Sequence, residues 1–303
     1  MLLDTRLPVR YVFKHLRPDV IRVLLISLCF QTLKRVFPAQ LPLIPLPLVT
    51  ILGSSISLLL AFKISQSYDR WWEARKLWGA IANDSRTLVL QLRGFVRDEV
   101  LHQPGPAAPL PAMAYRQMAW CYSLGQSLRG LPAAAGLQNY LSTTELAYLQ
   151  QPANKPLALL ALHTGQVKAL FEAQAINAFQ QVQLDATLMR LGDAMGGAER
   201  IKSTVFPTSY RLMVYSSIYL FLIMLSLGLI ETIGGWETPV LLAVASTFFL
   251  LERTARYLQD PFSNKPTDTP VTAIARAVET DLRQLLQEAP APAPMPAGGF
   301  YLM

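Results

Sequence analysis

The stretch that decides the fold is residues 36–62, VFPAQLPLIPLPLVTILGSSISLLLAF, followed at once by residues 63–76, KISQSYDRWWEARK. The first part carries no charged residue. About 20 mostly apolar residues are enough to cross roughly 30 Å of hydrocarbon. The aromatic and cationic residues that follow are typical of a membrane–water boundary. We therefore expect a membrane-embedded chain.

The composition supports this expectation. Of the 303 residues, 52% are hydrophobic and only 16% are charged, whereas about a quarter of an average soluble domain is charged. The net charge is +7, and the basic residues cluster beside the apolar stretches rather than in a separate patch. This pattern favours contact with a membrane surface, and nucleic acid is not an expected partner.

Four apolar spans are predicted, and short links join them into two helical hairpins. The spans cover about Val20–Phe37, Leu41–Ser65, Tyr210–Ile230 and Pro239–Leu251. The first has a short uncharged centre, which can still cross because long flanking cations reach the interface. Those cations are Arg22, Lys34 and Arg35. The links are residues 38–40 and 231–238.

Basic residues set the predicted orientation. They precede spans one and three and follow spans two and four, while the link of the second hairpin has none. Cytoplasmic loops carry the excess of lysine and arginine. The first ten residues also lack the pattern of a signal peptide. We expect both termini and the large middle region to be cytoplasmic.

The predicted organisation has six parts. They are a cytoplasmic segment (1–19), a first transmembrane hairpin (20–65), a cytoplasmic helical domain (66–209), a second hairpin (210–252), a cytoplasmic segment (253–288) and a Pro/Ala-rich tail (289–303). Apolar residues at three- and four-residue spacing predict amphipathic helices over 71–96 and within 157–191. Residues 142–145, STTE, predict a capping box, and 102–112 predict a loop.

Nothing in the sequence points to catalysis. The histidines, His15, His102 and His163, are far apart, and none has a ligand-type partner nearby. Cys29 and Cys121 show no metal spacing, and the Gly-Gly pairs lack the context of a phosphate loop. We expect no enzyme activity, no metal and no cofactor.

One face of the second span carries small and apolar residues at four-residue steps. Ser54, Leu58, Phe62 and Gln66 follow one another on that face. Two interpretations stay open. Small residues suit close helix packing, whereas apolar rings can line a pore and gate ions by dewetting. A chain with four spans does not easily enclose a pore, so the second interpretation requires a ring of subunits.

Three motifs then suggest a family. Residues 68–79, YDRWWEARKLWG, with NDSR at 83–86, resemble the signature of bacterial bestrophin homologues. Residues 196–201, GGAERI, lead through Pro207 into span three, and Asp260-Pro261-Phe262 follows span four. The motifs fall in the family's order across nearly the whole chain.

This resemblance implies a homopentameric ion channel with one central pore and a wide cytoplasmic vestibule. The family's neck maps onto Ser54, Leu58 and Phe62, where Ser54 departs from the apolar pattern. A second aperture maps near Phe179, with the neighbouring positions left open by helix register, namely Ile176, Gln180 and Gln183. The sign of the ion stays open, because animal relatives pass chloride and bacterial relatives are associated with monovalent cations.

Animal bestrophins hold calcium in an acidic cluster after the Asp-Pro-Phe motif. In this chain the corresponding stretch retains Asp260, Asn264 and Asp268, and Lys265 lies among them. Calcium prefers several carboxylate oxygens. We therefore expect a degenerate clasp without tight calcium binding.

The signature residues Arg70, Trp71, Trp72 and Glu73 are expected to brace the pore helix rather than to contact the ion. Arg70 and Arg75 are placed to pair with Asp69 and Glu73 on neighbouring turns.

In total, the sequence predicts an all-α integral membrane protein with four transmembrane helices per subunit and a helical cytoplasmic domain. It is expected to form a ring-shaped homopentamer in a bacterial inner membrane, with itself, lipids and monovalent ions as partners. The alternatives are a membrane-anchored scaffold and a secondary transporter without a central pore.

Overall fold

The computed structural model of the chain describes residues 9–37, 44–101, 108–204, 207–288 and 301, without the side chains of 9–15. These ranges contain helices and no β-strand. The α-helices are α1 (Val9–Val36), α2 (Leu46–Phe95), α3 (Asp98–Leu101), α4 (Pro109–Leu128), α5 (Thr143–Tyr148), α6 (Lys155–Glu172), α7 (Ala178–Ser203), α8 (Thr208–Ile233), α9 (Glu237–Gln259) and α10 (Val271–Leu285). The predicted link 38–40 and, apart from residue 301, the predicted tail lie outside the described residues.

The described residues divide into two compact units. The first unit holds 9–71 and 207–260, and the second holds 72–204 and 261–288. The sequence predicted changes of region at 65/66, 209/210 and 252/253. These membrane boundaries stay a prediction, whereas α2 and α9 continue as regular helices beyond the first and last of them.

The first unit packs α1, α8 and α9 with the first half of α2. Its core consists of aliphatic and aromatic side chains, among them Val23, Ile56, Leu60, Ile218 and Phe249. Among the described residues, two helical stretches are long and apolar enough to cross a membrane, Leu46–Phe95 and Thr208–Gln259. The second of these contains both α8 and α9. The count of four spans stays a prediction, since α1 carries the cations noted above.

Three of the predicted spans have different bounds in the structure. Helix α1 begins at Val9, well before Val20, and contains Pro18. Helix α2 does not end near Ser65 but runs to Phe95. No proline occurs between residues 48 and 95, so nothing breaks the helix where the sequence turns polar. Helix α9 begins at Glu237 and ends at Gln259, ten residues longer than span four.

A buried carboxylate ties three helices of the first unit together. Glu237, which the sequence placed in a link, is the first residue of α9 and is fully buried. Its Oε2 accepts hydrogen bonds from Ser27 (2.6 Å) and Gln31 (2.9 Å) of α1, and its Oε1 accepts one from Ser226 (2.6 Å) of α8. A buried charge is tolerated when it is hydrogen-bonded in this way.

The second unit packs α4, α6, α7 and α10 with the second half of α2. Trp78, Trp120, Leu159, Leu191 and Leu282 are buried in its core. The predicted amphipathic helices are confirmed, with a break between α6 and α7.

Two local predictions have clear outcomes. The capping box at Ser142 is confirmed, because its hydroxyl accepts from the Glu145 amide and the Glu145 carboxylate accepts from the Ser142 amide. The predicted loop 102–112 is wrong at its end, since α4 already begins at Pro109. Proline is compatible with the first helical turn, where its missing N–H has no partner.

Glu279 of α10 is the polar centre of the second unit. The buried carboxylate accepts hydrogen bonds from the hydroxyls of Tyr122 (2.7 Å) and Tyr140 (3.0 Å), and it pairs with Arg276 (2.9 Å) and Arg283 (3.0 Å). Burial by itself would raise the pKa of this carboxyl. The four donors outweigh burial and hold the pKa below its ordinary value.

We predict that Glu279→Gln destabilises the second unit by about 2 kcal/mol at neutral pH, because it leaves two half-buried arginines without their shared anion. A lowered folded-state pKa stabilises the protein above the ordinary carboxyl value of 4.5, and this contribution is lost as the pH falls below it. Unfolding followed by tryptophan fluorescence at several pH values measures both effects.

The matched control is Asp281→Asn on the same helix. Asp281 pairs with Arg86 at 2.6 Å, but both side chains are partly exposed. Exposed pairs contribute about 0.5 kcal/mol. Equal losses in the two variants, or an unchanged acid limb in Glu279→Gln, would contradict the assignment of Glu279 as the centre.

Candidate functional site

The three predicted neck residues lie on one exposed side of α2. Leu58 and Phe62 are 59% and 57% exposed, and Ser54 is also exposed. Steps of four residues keep side chains on one face of a helix. The first unit therefore presents a serine and two large apolar groups in a row that the described residues leave largely exposed.

The opposite side of α2 is buried against the rest of the first unit. Its residues recur at three- and four-residue steps and comprise Val49, Gly53, Ile56, Leu60, Lys63 and Ser67. A Cβ added at Gly53 would lie 2.8 Å from the Phe221 ring of α8. Glycine thus permits the close approach of α2 and α8. The packed side fixes the rotation of α2 and directs Leu58 and Phe62 away from the unit.

An ion pair directly after Phe62 adds to this constraint. Lys63 Nζ lies 3.1 Å from Glu252 Oε1 of α9, and the two side chains are only 1% and 0% exposed. Glu252 Oε2 also pairs with Arg256 at 2.6 Å. Removing one partner of a buried pair leaves an uncompensated charge, which is strongly destabilising. The sequence analysis missed this pair, although a lysine and a glutamate at the ends of two apolar spans were a usable signal.

The signature residues fall into both units. In the first unit, the Tyr68 and Trp71 rings lie 6.0 Å apart. In the second unit, Glu73 pairs with Arg200 of α7 at 2.7 Å. Arg200 belongs to the GGAERI motif, which the sequence left unconnected with the tryptophan motif.

A glycine brings these two motifs into contact. A Cβ added at Gly197 would lie 3.0 Å from Leu77 Cδ2, so α7 rests closely on α2 at this point. The role of Arg70, Trp71, Trp72 and Glu73 as a brace for the pore helix stays a prediction, and the Glu73–Arg200 pair agrees with it.

The predicted aperture residues differ in how far their side chains are exposed. Phe179 is 86% exposed at the start of α7, and Gln183 is exposed one turn later. Ile176 precedes the helix and is buried in the hydrophobic core of the second unit. Ile176 therefore faces the interior rather than an aperture. Helix α7 begins only at Ala178, so Ile176 does not share the helix that carries Phe179, Gln180 and Gln183.

The degenerate clasp contributes one buried carboxylate to the second unit. Asp268 is fully buried, and burial raises the pKa of its carboxyl, with Arg129 among the groups that oppose this effect. Asn264 is exposed, has a φ of 61°, and donates to the Arg129 carbonyl at 3.3 Å. Asp260 belongs to the first unit. Among the described residues, no three acidic, histidine or cysteine side chains are grouped as metal ligands.

Comparison with known proteins identifies the family. The model of the bacterial and fungal bestrophin proteins matches residues 8–284. The chain belongs to this bestrophin family. It is 31% identical to the voltage-dependent anion channel-forming protein YneE of Escherichia coli over 245 residues, which cover 80% of this chain and 78% of the relative. A voltage-dependent anion channel-forming protein of Mesorhizobium japonicum is 29% identical over 96% of this chain and 91% of its own length.

Solved structures agree with this membership. A crystal structure of a bacterial bestrophin homologue from Klebsiella pneumoniae superposes with a TM-score of 0.81 and 26% identity, covering 90% of this chain and 98% of that one. The family predicted from the three motifs is therefore confirmed, and so is the all-helical fold class.

We predict that calcium does not bind tightly to the 260–268 loop. The Asp268 carboxyl is buried near Arg129, and Lys265 adds a further cation. Sensor-type calcium sites need several oxygen ligands and bind at about 10⁻⁷–10⁻⁵ M. Calorimetric titration of the purified protein should show no saturable heat in this range. A stoichiometric isotherm that disappears in Asp268→Asn would refute the prediction.

Proposed function

We propose that this bestrophin-family chain is one subunit of a homopentameric channel that passes small monovalent ions through a central pore. The single observation that carries the proposal is the two-sided character of α2. One side is fixed by packing and by the Lys63–Glu252 pair, and the other exposes Ser54, Leu58 and Phe62.

The exposed side of α2 is suited to a hydrophobic neck. Apolar constrictions gate ions by dewetting, without a charge filter. Leu58 and Phe62 supply the apolar groups. The Ser54 hydroxyls, one from each subunit, bind water and keep that level of the pore hydrated. The proposed neck is therefore short, two rings deep, with a polar entrance. Phe179, followed by Gln183, is the proposed lower aperture.

Self-association would cover surfaces that stay exposed in the described part of the chain. On α7, Val182 and Met189 are among the most exposed apolar side chains and lie seven residues apart, on one side of the helix. Exposed apolar surface of this kind marks interaction sites. Closed rings bury such faces against identical neighbours. The proposed number of copies, five, comes from the family resemblance.

We further propose four spans per subunit in a bacterial inner membrane, with both termini in the cytoplasm. Cations gather at one end of the first unit, where Arg22, Arg253 and Arg256 lie near the carboxylates of Asp19 and Glu252. An excess of arginine and lysine is typical of the cytoplasmic side.

We predict that Leu58→Ala and Phe62→Ala each raise ion flux in proteoliposomes. A smaller side chain widens the neck and eases its wetting, and a barrier lower by about 1 kcal/mol raises the rate about fivefold. The matched control is Leu220→Ala, which truncates a similarly exposed leucine of α8. If flux is unchanged in both neck variants, or rises equally in the control, these residues do not form the pore.

We predict that the conducted ion is an anion, because the relatives named above are called anion channel-forming proteins. In planar bilayers with asymmetric potassium chloride, the reversal potential should take the sign of the chloride equilibrium potential. A reversal potential of the opposite sign would assign the channel to cations and leave the pore proposal intact. Purified protein that runs as a monomer and conducts nothing would favour the scaffold alternative.

A further inference from the structure

A shallow cleft lies in the first unit between the start of α8 and the end of α9. Its volume is ≈ 340 Å³, and it is lined by Thr208, Arg211, Leu212, Tyr215 and Arg256. The lining combines two guanidinium groups, two hydroxyls and one leucine, and it contains no acidic residue. Such a set of side chains favours a ligand that carries an anionic group next to an apolar one.

Arg256 is held in place by its own surroundings. It donates to the Glu252 carboxylate at 2.6 Å and to the Tyr215 hydroxyl, and its guanidinium lies 5.4 Å from the centre of the Tyr215 ring. Its Nε is buried and has no hydrogen-bond partner among the described residues. The side chain is nevertheless 31% exposed and lines the cleft, so its guanidinium remains accessible to an acceptor from outside the chain.

The local charge balance leaves positive charge uncompensated. The Glu252 carboxylate is shared between the buried Lys63 and the partly exposed Arg256, so two cations face one anion. Arg211 lines the same cleft and forms no ion pair within the described part of the chain. A ligand with negative charge would restore the balance.

The start of α8 adds donors to the same place. Its capping residue, Pro207, provides no side-chain hydrogen bond to the first turn, which begins at Thr208. Backbone N–H groups of a first helical turn and the helix dipole favour an anion. Arginine can bind phosphate through a planar pair of donors, and Arg211 and Arg256 place two guanidinium groups on this cleft.

We propose that this cleft binds the phosphate of an anionic phospholipid headgroup, with Arg211 and Arg256 as its principal ligands. A lipid is favoured over free phosphate because Leu212 is exposed in the lining and α8 continues from it as an apolar helix. Basic pockets between transmembrane helices on the cytoplasmic side bind such headgroups. The inference rests on the proposed membrane arrangement but not on the proposed pore.

The test uses purified full-length protein in detergent and follows thermal unfolding with added ligand. The probes are dioctanoyl phosphatidylglycerol, dioctanoyl phosphatidylcholine and inorganic phosphate. Phosphatidylglycerol should raise the Tm in a saturable way, and the other two should not. In Arg211→Gln its Kd should be about tenfold weaker, as expected for one lost charge-assisted contact. Arg211 is exposed, so this variant should fold.

Two further variants sharpen the comparison. Arg17→Gln removes an exposed cation of α1 that does not line the cleft, and it should bind like the unaltered protein. Arg256→Lys keeps the charge next to Glu252 but loses the planar donors, and it should also bind more weakly. Equal binding by Arg211→Gln and Arg17→Gln would overturn the proposal. A larger shift with inorganic phosphate than with phosphatidylglycerol would overturn the lipid assignment.

Lipid binding and conduction can fail separately in this design. If phosphatidylglycerol binding depends on Arg211 in a protein that conducts no ions, only the channel proposal fails. If the protein conducts but shows no Arg211-dependent binding, only the lipid proposal fails.

Discussion

The buried Lys63–Glu252 pair is the interaction on which the interpretation of α2 depends. Two charges taken out of water are costly unless each faces the other, so the pair tolerates little rotation of either helix. Because Lys63 follows Phe62 directly, the pair determines where Phe62 points. Gly53 also restricts the rotation of α2, because only a residue without a Cβ allows the Phe221 ring so close. Ser54, Leu58 and Phe62 are thus exposed because the opposite side of α2 is the one that is buried.

Shared carboxylates recur through the molecule. Glu252 serves Lys63 and Arg256, Asp19 serves Arg22 and Arg253, and Glu279 serves two arginines and two tyrosines. One anion against two cations fixes several helices at once and leaves net positive charge behind. In the second unit Arg283 also pairs with Glu288 at 3.1 Å, so part of that charge is compensated within the chain. At the end of α9 the charge lies beside a cleft, which is where the external anion is proposed.

Much of the fold was accessible from the sequence because it follows from local patterns. The four-residue steps of Ser54, Leu58 and Phe62 describe one helix face whatever that face contacts, and a capping box needs only neighbouring residues. The longer α2 and the burial of Ile176 were not accessible in the same way. A polar stretch without proline continues a helix only if tertiary contacts support it, and the start of α7 depends on packing. The Glu73–Arg200 and Lys63–Glu252 pairs join residues more than a hundred positions apart.

The buried ionisable groups bear on the alternative of a coupled transporter. A transporter needs a site near the membrane midplane whose polar groups are free to exchange their partners with a substrate or ion. Glu237 is already saturated by donors from α1, α8 and its neighbour Thr238, and Lys63 is held by Glu252. Neither can take up a cargo without breaking contacts that hold the helices together. The exposed row on α2 is uncharged and makes no such contacts among the residues that the structure describes, which agrees with the proposed passive pore.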